Sequence, residues 1–134
     1  MITTRSLSHA DAQAAIAAIQ AELIKRGKVA VIAVADPHGE LIALLRMDGA
    51  PLQSVTIAIN KAYSAARERK TTLEIGTSMR EKQQQIAYFG DPRFVGWGGG
   101  VPVIVDGTGV GSVAVSGLSQ AEDEELARLG IAAM

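Results

Sequence analysis

The sequence predicts an α+β domain in which two β-hairpins form one antiparallel β-sheet flanked by helices, in the order α-β-β-α-α-β-β-α. Two pairs of short apolar runs are each joined by a turn containing Asp and Gly, which is typical of hairpins. Apolar residues at helical spacing recur before, between and after these pairs. Hairpins that bracket helices favour helices packed on an antiparallel sheet over a parallel, doubly wound sheet.

The first helix is expected over about residues 9–26. Ser8 is followed three residues later by Asp11, which resembles a capping box with a shortened acidic partner. Gly27, preceded by two basic residues, closes the segment, as such residues commonly do at a helix end. The apolar face between these signals consists of Ala12, Ile16, Ile19 and Leu23.

The first hairpin and the second helix follow in turn. The apolar runs Val29–Ala35 and Leu41–Leu45 flank the turn Asp36–Gly39, so we expect two antiparallel strands. Pro51 then opens a helix, because proline is tolerated in the first helical turn. The apolar stripe of this helix is Val55, Ile59, Ala62 and Ala66, and a charged, solvated end covers 67–70.

The second half of the chain repeats the alternation of helix and hairpin. A third, polar helix is expected to begin near Thr77 or Ser78 and to stop at Gly90. Ser119 and Glu122 have the spacing of a capping box and start a closing helix. The second hairpin lies between these helices, with strands over 101–105 and 110–116 and a turn at 106–109.

Composition bounds the function. The chain has 134 residues, enough for one domain over 1–134, and 48% of them are apolar, so disorder is not expected. The net charge of −1 and the lack of a basic block argue against nucleic acid as a partner. No cysteine is present, which excludes disulfides, thiolate nucleophiles and iron–sulfur ligation. No apolar run approaches a membrane span and no export signal follows Met1, so we expect a cytoplasmic protein without a membrane partner.

His9 and His38 are the only imidazoles, so any histidine-based catalysis or ligation depends on them. His9 stands in the first turn of the first helix and His38 in a hairpin turn, where polar residues are commonly just solvated. We therefore expect no metal site. The sequence also lacks the glycine two positions before Ser116 that a hydrolase elbow needs. Gly109 opens a match to a dinucleotide-binding fingerprint, but that match lies inside a hairpin and no helix follows it.

The segment Phe94–Pro102 is the first candidate for a ligand site. It contains Trp97 and the adjacent residues Gly98, Gly99 and Gly100. Glycines let backbone N–H groups approach a ligand without hindrance from a Cβ, and anions suit such a concavity. The alternative is a flexible start to the following strand.

The second candidate is the segment from Arg46 to Pro51, where a strand leads into a helix. Arg46 is suited to hold a carboxylate, with Met47 and Asp48 beside it; the alternative is a salt bridge between Arg46 and Asp48. Lys61 on the second helix could reach either segment, or it could be a solvated residue. We predict a pocket for an anionic ligand between the two candidate segments, with Arg46 as an anion clamp and Lys61 as an acid or base.

These residues resemble the GlcG/HbpS family, which comprises haem-binding and haem-degrading-type domains, including the C-terminal domain of PduO-type proteins. The resemblance covers nearly the whole chain in order. It is carried by Asp36–Gly39, Arg46–Pro51, Lys61-Ala62, Gly98–Pro102, Asp106-Gly107, Gly111–Gly117, Glu122–Glu124 and Ala132-Ala133.

The resemblance implies a single domain with a profilin- or PAS-like layer arrangement, and a homo-oligomer. It also carries over Arg46, Met47, Asp48, Lys61 and the three glycines as site positions. Haem is the implied cofactor. His9, Met47 or a tyrosine would be its axial ligand, and His9 is our first candidate.

Three functions remain open from the sequence, and whether the protein is an enzyme is one of the open points. The first is a cytoplasmic protein that binds a small ligand, haem or another tetrapyrrole. The second is a small catabolic enzyme or accessory protein acting on a small carboxylate or hydroxylated aromatic compound. The third is an oligomeric scaffold without chemistry. Each includes a homo-oligomer, because an apolar chain of this size is expected to have apolar surface that a second copy can cover.

Overall fold

A computed structural model describes residues 1–134 and confirms the α+β architecture and the predicted order of elements. One single-turn 3-10 helix lies before the second hairpin. The helices are α1 (His9–Arg26), α2 (Ser54–Glu68), α3 (Thr72–Glu81) and α4 (Gln120–Ala132), the 3-10 helix is Ile86–Phe89, and the strands are β1 (Val31–Ala35), β2 (Leu41–Arg46), β3 (Gly100–Val105) and β4 (Thr108–Ser116).

The four strands form one antiparallel sheet in the order β2-β1-β4-β3. The two hairpins therefore meet along β1 and β4, where Val31 pairs with Ser116 and Ala35 with Ser112. All five residues of β1 are buried, as expected for a central strand covered on both faces. The strands β2 and β3 are the two edges.

Helices cover both faces of the sheet. On one face, Ile32 and Val34 of β1 belong to the main core, which also includes Ile19 of α1 and Leu126 of α4. On the other face, Val31, Ala33 and Ala35 belong to a second cluster with Ala58 and Ala62 of α2. Because this second cluster is mostly alanine, the backbone of α2 can lie close to the sheet, and the side chains of α2 are held near the strand ends.

The capping box predicted at the start of α1 is confirmed, and the one predicted at the start of α4 is confirmed only in part. Ser8 and Asp11 form a complete capping box, with the Asp11 carboxylate accepting from the Ser8 N–H at 2.8 Å. Ser119 accepts from the Glu122 N–H at 3.2 Å, which is half of the predicted box. The Glu122 carboxylate instead accepts from Arg26 at the end of α1, at 3.1 Å, and from Lys28 Nζ just after that helix, at 2.7 Å, so these bonds take the place of the reciprocal cap.

Two predicted helix starts are wrong. The third helix begins at Thr72, not near Thr77, because the Thr71 hydroxyl accepts from the Glu74 N–H at 3.1 Å and starts the helix earlier. It also ends at Glu81, well before Gly90. The second helix begins at Ser54 rather than at Pro51, whose carbonyl accepts from the Ser54 N–H in a preceding turn.

No helix combines the length and the apolar character needed to cross a membrane. No group of three or more His, Asp or Glu side chains is arranged to hold a metal ion.

Candidate functional site

One cleft contains residues of the predicted glycine segment together with Lys61, and we call it the lysine cleft. It has a volume of about 220 Å³ and lies where the first half of α2, the start of α4 and the end of β4 meet the glycine run. Its lining residues are Pro51, Ser54, Ile57, Lys61, Trp97, Gly98, Ser116, Gly117, Leu118, Gln120 and Asp123.

Lys61 is a buried residue of this cleft, not a solvated one, with 2% of its surface exposed. Its Nζ donates to the Val115 carbonyl at 2.9 Å and to Asp123 Oδ2 at 3.2 Å. The other carboxylate oxygen, Oδ1, accepts from the Leu118 N–H at 3.1 Å. Both charges of the ion pair are therefore buried, as paired and hydrogen-bonded charges can be.

Burial moves the pKa values of the two partners toward each other. It lowers the pKa of Lys61, and the Asp123 charge offsets part of that change. Burial also raises the pKa of Asp123 against the opposing effect of the Lys61 charge. A proton then moves between the two groups at a smaller free-energy difference than between a solvated lysine and a solvated aspartate, so the pair is suited to hold or transfer a proton.

The glycine run allows its backbone to approach the ion pair. Gly99 has φ +130°, and a Cβ built there would lie 2.5 Å from the Val115 carbonyl oxygen and 2.7 Å from Lys61 Nζ. The N–H groups of Gly98 and Gly100 are already bonded within the chain, to Gln120 Oε1 at 2.8 Å and to Thr72 Oγ1 at 2.9 Å. The glycines therefore allow close packing at this point. The N–H groups of Gly98 and Gly100 are not free to bind a ligand.

Trp97 precedes the glycines and is 60% exposed. It lines both the lysine cleft and a neighbouring open hollow of about 250 Å³. Met79 and Ile86 also line that hollow. The indole is therefore positioned to report on events in either depression.

The structure separates most of the second candidate segment from the lysine cleft. Arg46 is exposed at the end of β2, opposite Val31, and Asp48 is exposed in the following turn. Met47 packs against the main core. Of this segment, Pro51 lines the lysine cleft. Arg46, Met47 and Asp48 therefore do not line the cleft that contains Lys61, and the ligand-binding roles predicted for them stay predictions.

A larger hollow lies elsewhere, and we call it the N-terminal hollow. It has a volume of about 380 Å³, and seven of its ten lining residues are hydrophobic. His9 is exposed at the start of α1 and stands in the sequence between two of the lining residues. The lining residues are Arg5, Ser6, Leu7, Asp11, Val103, Ile104, Val105, Val110, Ile131 and Met134.

Sequence reasoning missed Asp123, Ser54, Ser116 and Gln120 as residues of the lysine cleft. Asp123 lies 62 positions after Lys61, and no local spacing relates the two. Two signals were available: the acidic segment Glu122–Glu124 in the family resemblance, and the capping motif at Ser119, which predicts the start of α4 and hence places Asp123 in its first turn. Neither signal predicts which side chain of α2 that carboxylate meets.

Comparison with known proteins gives close matches over nearly the whole chain. Residues 7–132 match the family HbpS-like, described as "Haem degrading protein HbpS-like". The protein GlcG of Escherichia coli K12 is 40% identical over 116 residues, which is 87% of this chain and 85% of GlcG.

Solved structures share the same fold. An HbpS double variant from Streptomyces reticuli superposes with a TM-score of 0.90 at 29% identity, covering 98% of this chain and 89% of that one. A complex of PduOC with haem superposes with a TM-score of 0.85 at 26% identity, covering 96% of this chain and 95% of that one.

Proposed function

We propose that this chain, which belongs to the HbpS-like family of haem-degrading proteins, is a haem-binding protein that holds the macrocycle without a covalent bond. The observation that carries the proposal is the similarity to PduOC, whose complex with haem has this fold. Attachment through cysteine thioethers is excluded, because the chain contains no cysteine. Bound haem would supply an iron centre, and the chain would supply apolar contacts, charge complementarity and an axial ligand.

The residues present fit a haem that lies in an open hollow at the surface. The lysine cleft, at about 220 Å³, is smaller than the 300–1,000 Å³ typical of pockets for drug-sized ligands, and three of its eleven lining residues are hydrophobic. The N-terminal hollow, at about 380 Å³, falls within that range, and seven of its ten lining residues are hydrophobic. We therefore assign haem to the N-terminal hollow.

The chemistry of the N-terminal hollow matches the parts of haem. Val103, Val105 and Ile131 provide apolar surface for the ring. The Arg5 guanidinium is suited to pair with a propionate. Two side chains are candidate axial ligands: the thioether of Met134, which lines the hollow, and the imidazole of His9 at the adjoining start of α1.

A titration with hemin, followed by the Soret band, tests this proposal. We expect saturable binding with a shifted Soret maximum. Ile104→Glu should weaken it about tenfold or more, because this residue lines the hollow and the new carboxylate would lie against the apolar ring. Ile104 is 47% exposed, so the substitution is compatible with folding. The control is Leu52→Glu, which adds the same charge at a residue that is 77% exposed.

The axial ligand is identified by the position of the Soret band in single variants. His9→Ala should change the maximum if His9 binds the iron, and Met134→Ala should do so if the thioether binds it. An unchanged spectrum in both His9→Ala and His38→Ala would remove histidine ligation. Absence of saturable hemin binding by the unaltered protein would overturn the proposed function.

A further inference from the structure

We propose that the lysine cleft is a second binding site, separate from the N-terminal hollow, and that it takes the carboxylate group of a small organic acid. The proposal rests on hydrogen-bond donors that line one small cavity, belong to largely buried residues and have no acceptor within the chain. It does not depend on haem binding, and its test below uses a different readout.

Three buried side chains supply those donors. The Lys61 ammonium has three N–H groups, and the Val115 carbonyl and Asp123 occupy two of them. Ser54 is 5% exposed and Ser116 is 4% exposed, and neither hydroxyl has a hydrogen-bond partner within the chain. Both hydroxyl oxygens remain accessible to solvent, because Glu124 Oε1 is the only side-chain polar atom that is both inaccessible and without a hydrogen-bond partner. Water can therefore satisfy both hydroxyls, and a ligand with suitably placed acceptor atoms can replace that water and keep the hydrogen bonds.

The remaining polar groups favour an acceptor rather than a donor as ligand. Both Asp123 carboxylate oxygens are engaged, one by Lys61 and one by the Leu118 N–H. The Gln120 Oε1 accepts from the Gly98 N–H, so the N–H₂ group of the same amide is the part that can donate to a ligand. The cleft thus offers ammonium, hydroxyl and amide donors and no free carboxylate, which is the complement of a carboxylate ion.

The size and walls of the cleft define the class of acid. A cavity of about 220 Å³ admits a molecule smaller than a typical drug. Ile57, Trp97 and Leu118 add apolar surface to the polar floor. We infer a monocarboxylic acid with a short aliphatic or single-ring apolar part.

The two sites are distinct places in the fold. The N-terminal hollow includes Val110 near the start of β4, and the lysine cleft includes Ser116 at its end. Six residues of extended strand correspond to about 20 Å. A haem in the hollow would therefore leave the cleft open to a free acid.

Trp97 makes the proposal directly testable, because it is the only tryptophan of the chain and lines the cleft. The probes are sodium propionate and sodium benzoate, followed by Trp97 fluorescence and by the single indole N–H signal in an NMR spectrum. We expect saturable changes with both acids. Propionamide, which lacks the charge, and methylammonium, which carries the opposite charge, should produce much weaker changes at equal concentration.

Hydroxyl deletions show whether the acid binds among the buried donors. The variant Ser54→Ala/Ser116→Ala should weaken propionate binding about tenfold or more, since hydrogen bonds to a charged ligand are lost. It should fold normally, because neither hydroxyl bonds within the chain. The matched control is Ser78→Ala on α3, which removes a half-buried hydroxyl outside the cleft and should bind like the parent protein.

Saturable binding that the double variant leaves unchanged would overturn the proposal, as would the absence of saturable binding by the parent. A titration with propionate in the presence of saturating hemin distinguishes a free acid from a haem propionate as the source of the carboxylate. Unchanged affinity identifies a free acid, as proposed here. Competition, together with weaker hemin binding by the double variant, would place a haem carboxylate in the cleft and overturn the assignment to a separate small acid.

Discussion

Among single residues, Lys61 and Asp123 depend on each other for stability, because each side chain compensates the buried charge of the other. Their side chains are each 3% exposed. Lys61→Met should lower the free energy of unfolding by about 3–5 kcal/mol, since it leaves an uncompensated buried carboxylate. Urea unfolding followed by circular dichroism measures this loss. The control is Lys70→Met, which replaces an exposed lysine just after the end of α2 and should change stability little.

The double variant Lys61→Met/Asp123→Leu separates the loss of a charge from the loss of packing. Removing both charges together eliminates the buried unpaired carboxylate, so this variant should recover most of the stability that Lys61→Met loses. If the double variant is as unstable as the single one, packing rather than electrostatics accounts for the effect.

Asp91 gives the chain a predictable response to acid. Its pKa falls from the ordinary 3.8 to about 2, first because it is hydrogen-bonded to the Tyr63 hydroxyl and then because it accepts from the Arg93 N–H. Arg67 also faces the same carboxylate at 3.8 Å. Since the folded pKa is the lower one, this stabilisation is present above about pH 4 and is lost as the pH falls from 3.8 toward 2.

Asp91→Asn tests that linkage. The variant should melt at a lower temperature than the parent near neutral pH, and the difference should shrink as the pH is lowered from 4 to 2, the window set by the pKa values of 3.8 and about 2. Melting temperatures measured across this range check the prediction, with Asp48→Asn at an exposed carboxylate as control. A constant difference across the window would contradict it.

At the scale of elements, α3 packs closely against the loop before the glycine run because Gly76 of α3 has no side chain there. A Cβ at Gly76 would lie 1.9 Å from the Gly96 carbonyl oxygen, a backbone atom that cannot easily move away. Gly76→Ala should therefore reduce the free energy of unfolding by about 1–3 kcal/mol through overpacking, although alanine is favoured over glycine in a helix by about 1 kcal/mol.

Urea unfolding of Gly76→Ala beside Ser78→Ala on the same helix checks this prediction. Ser78→Ala should unfold like the parent protein or slightly later. A stabilised Gly76→Ala variant would mean that helix propensity outweighs the clash and that α3 can move away from Gly96.

At the scale of the whole molecule, both edges of the sheet expose apolar side chains. Leu41 and Leu44 on β2 are 44% and 37% exposed, and Ile104 on β3 is 47% exposed. Exposed apolar edge strands favour pairing with a second chain. We therefore predict a homo-oligomer, at least a dimer, at micromolar concentration.

Light scattering coupled to size-exclusion chromatography measures the assembly. A monodisperse particle of 14.0 kDa across the micromolar range would contradict the prediction. Leu44→Lys and Ile104→Lys, each tested alone, should shift the population toward the monomer if the corresponding edge lies in the interface. Leu52→Lys, at an exposed residue outside the sheet, is the matched control.

The order of elements followed from the sequence because the signals behind it are local. The boundaries predicted for α1, about 9–26, agree with the structure, since capping at Ser8 and the glycine at position 27 act within one helical turn. The start of α3 was missed although its signal, Thr71 followed by Glu74, is equally local. The family was also recognisable from ordered motifs along the chain.

The lysine cleft depends on contacts that no local pattern specifies. The helical stripe of α2 predicts its apolar face, but Lys61 is buried because the glycine run and α4 close over it, and its partner is 62 residues away. Arg46 and Lys61 looked like one site in the sequence, and the sheet places Arg46 at the exposed end of an edge strand. Periodicity and capping act over a few residues, whereas burial and the pairing of charges are set by the packing of distant segments.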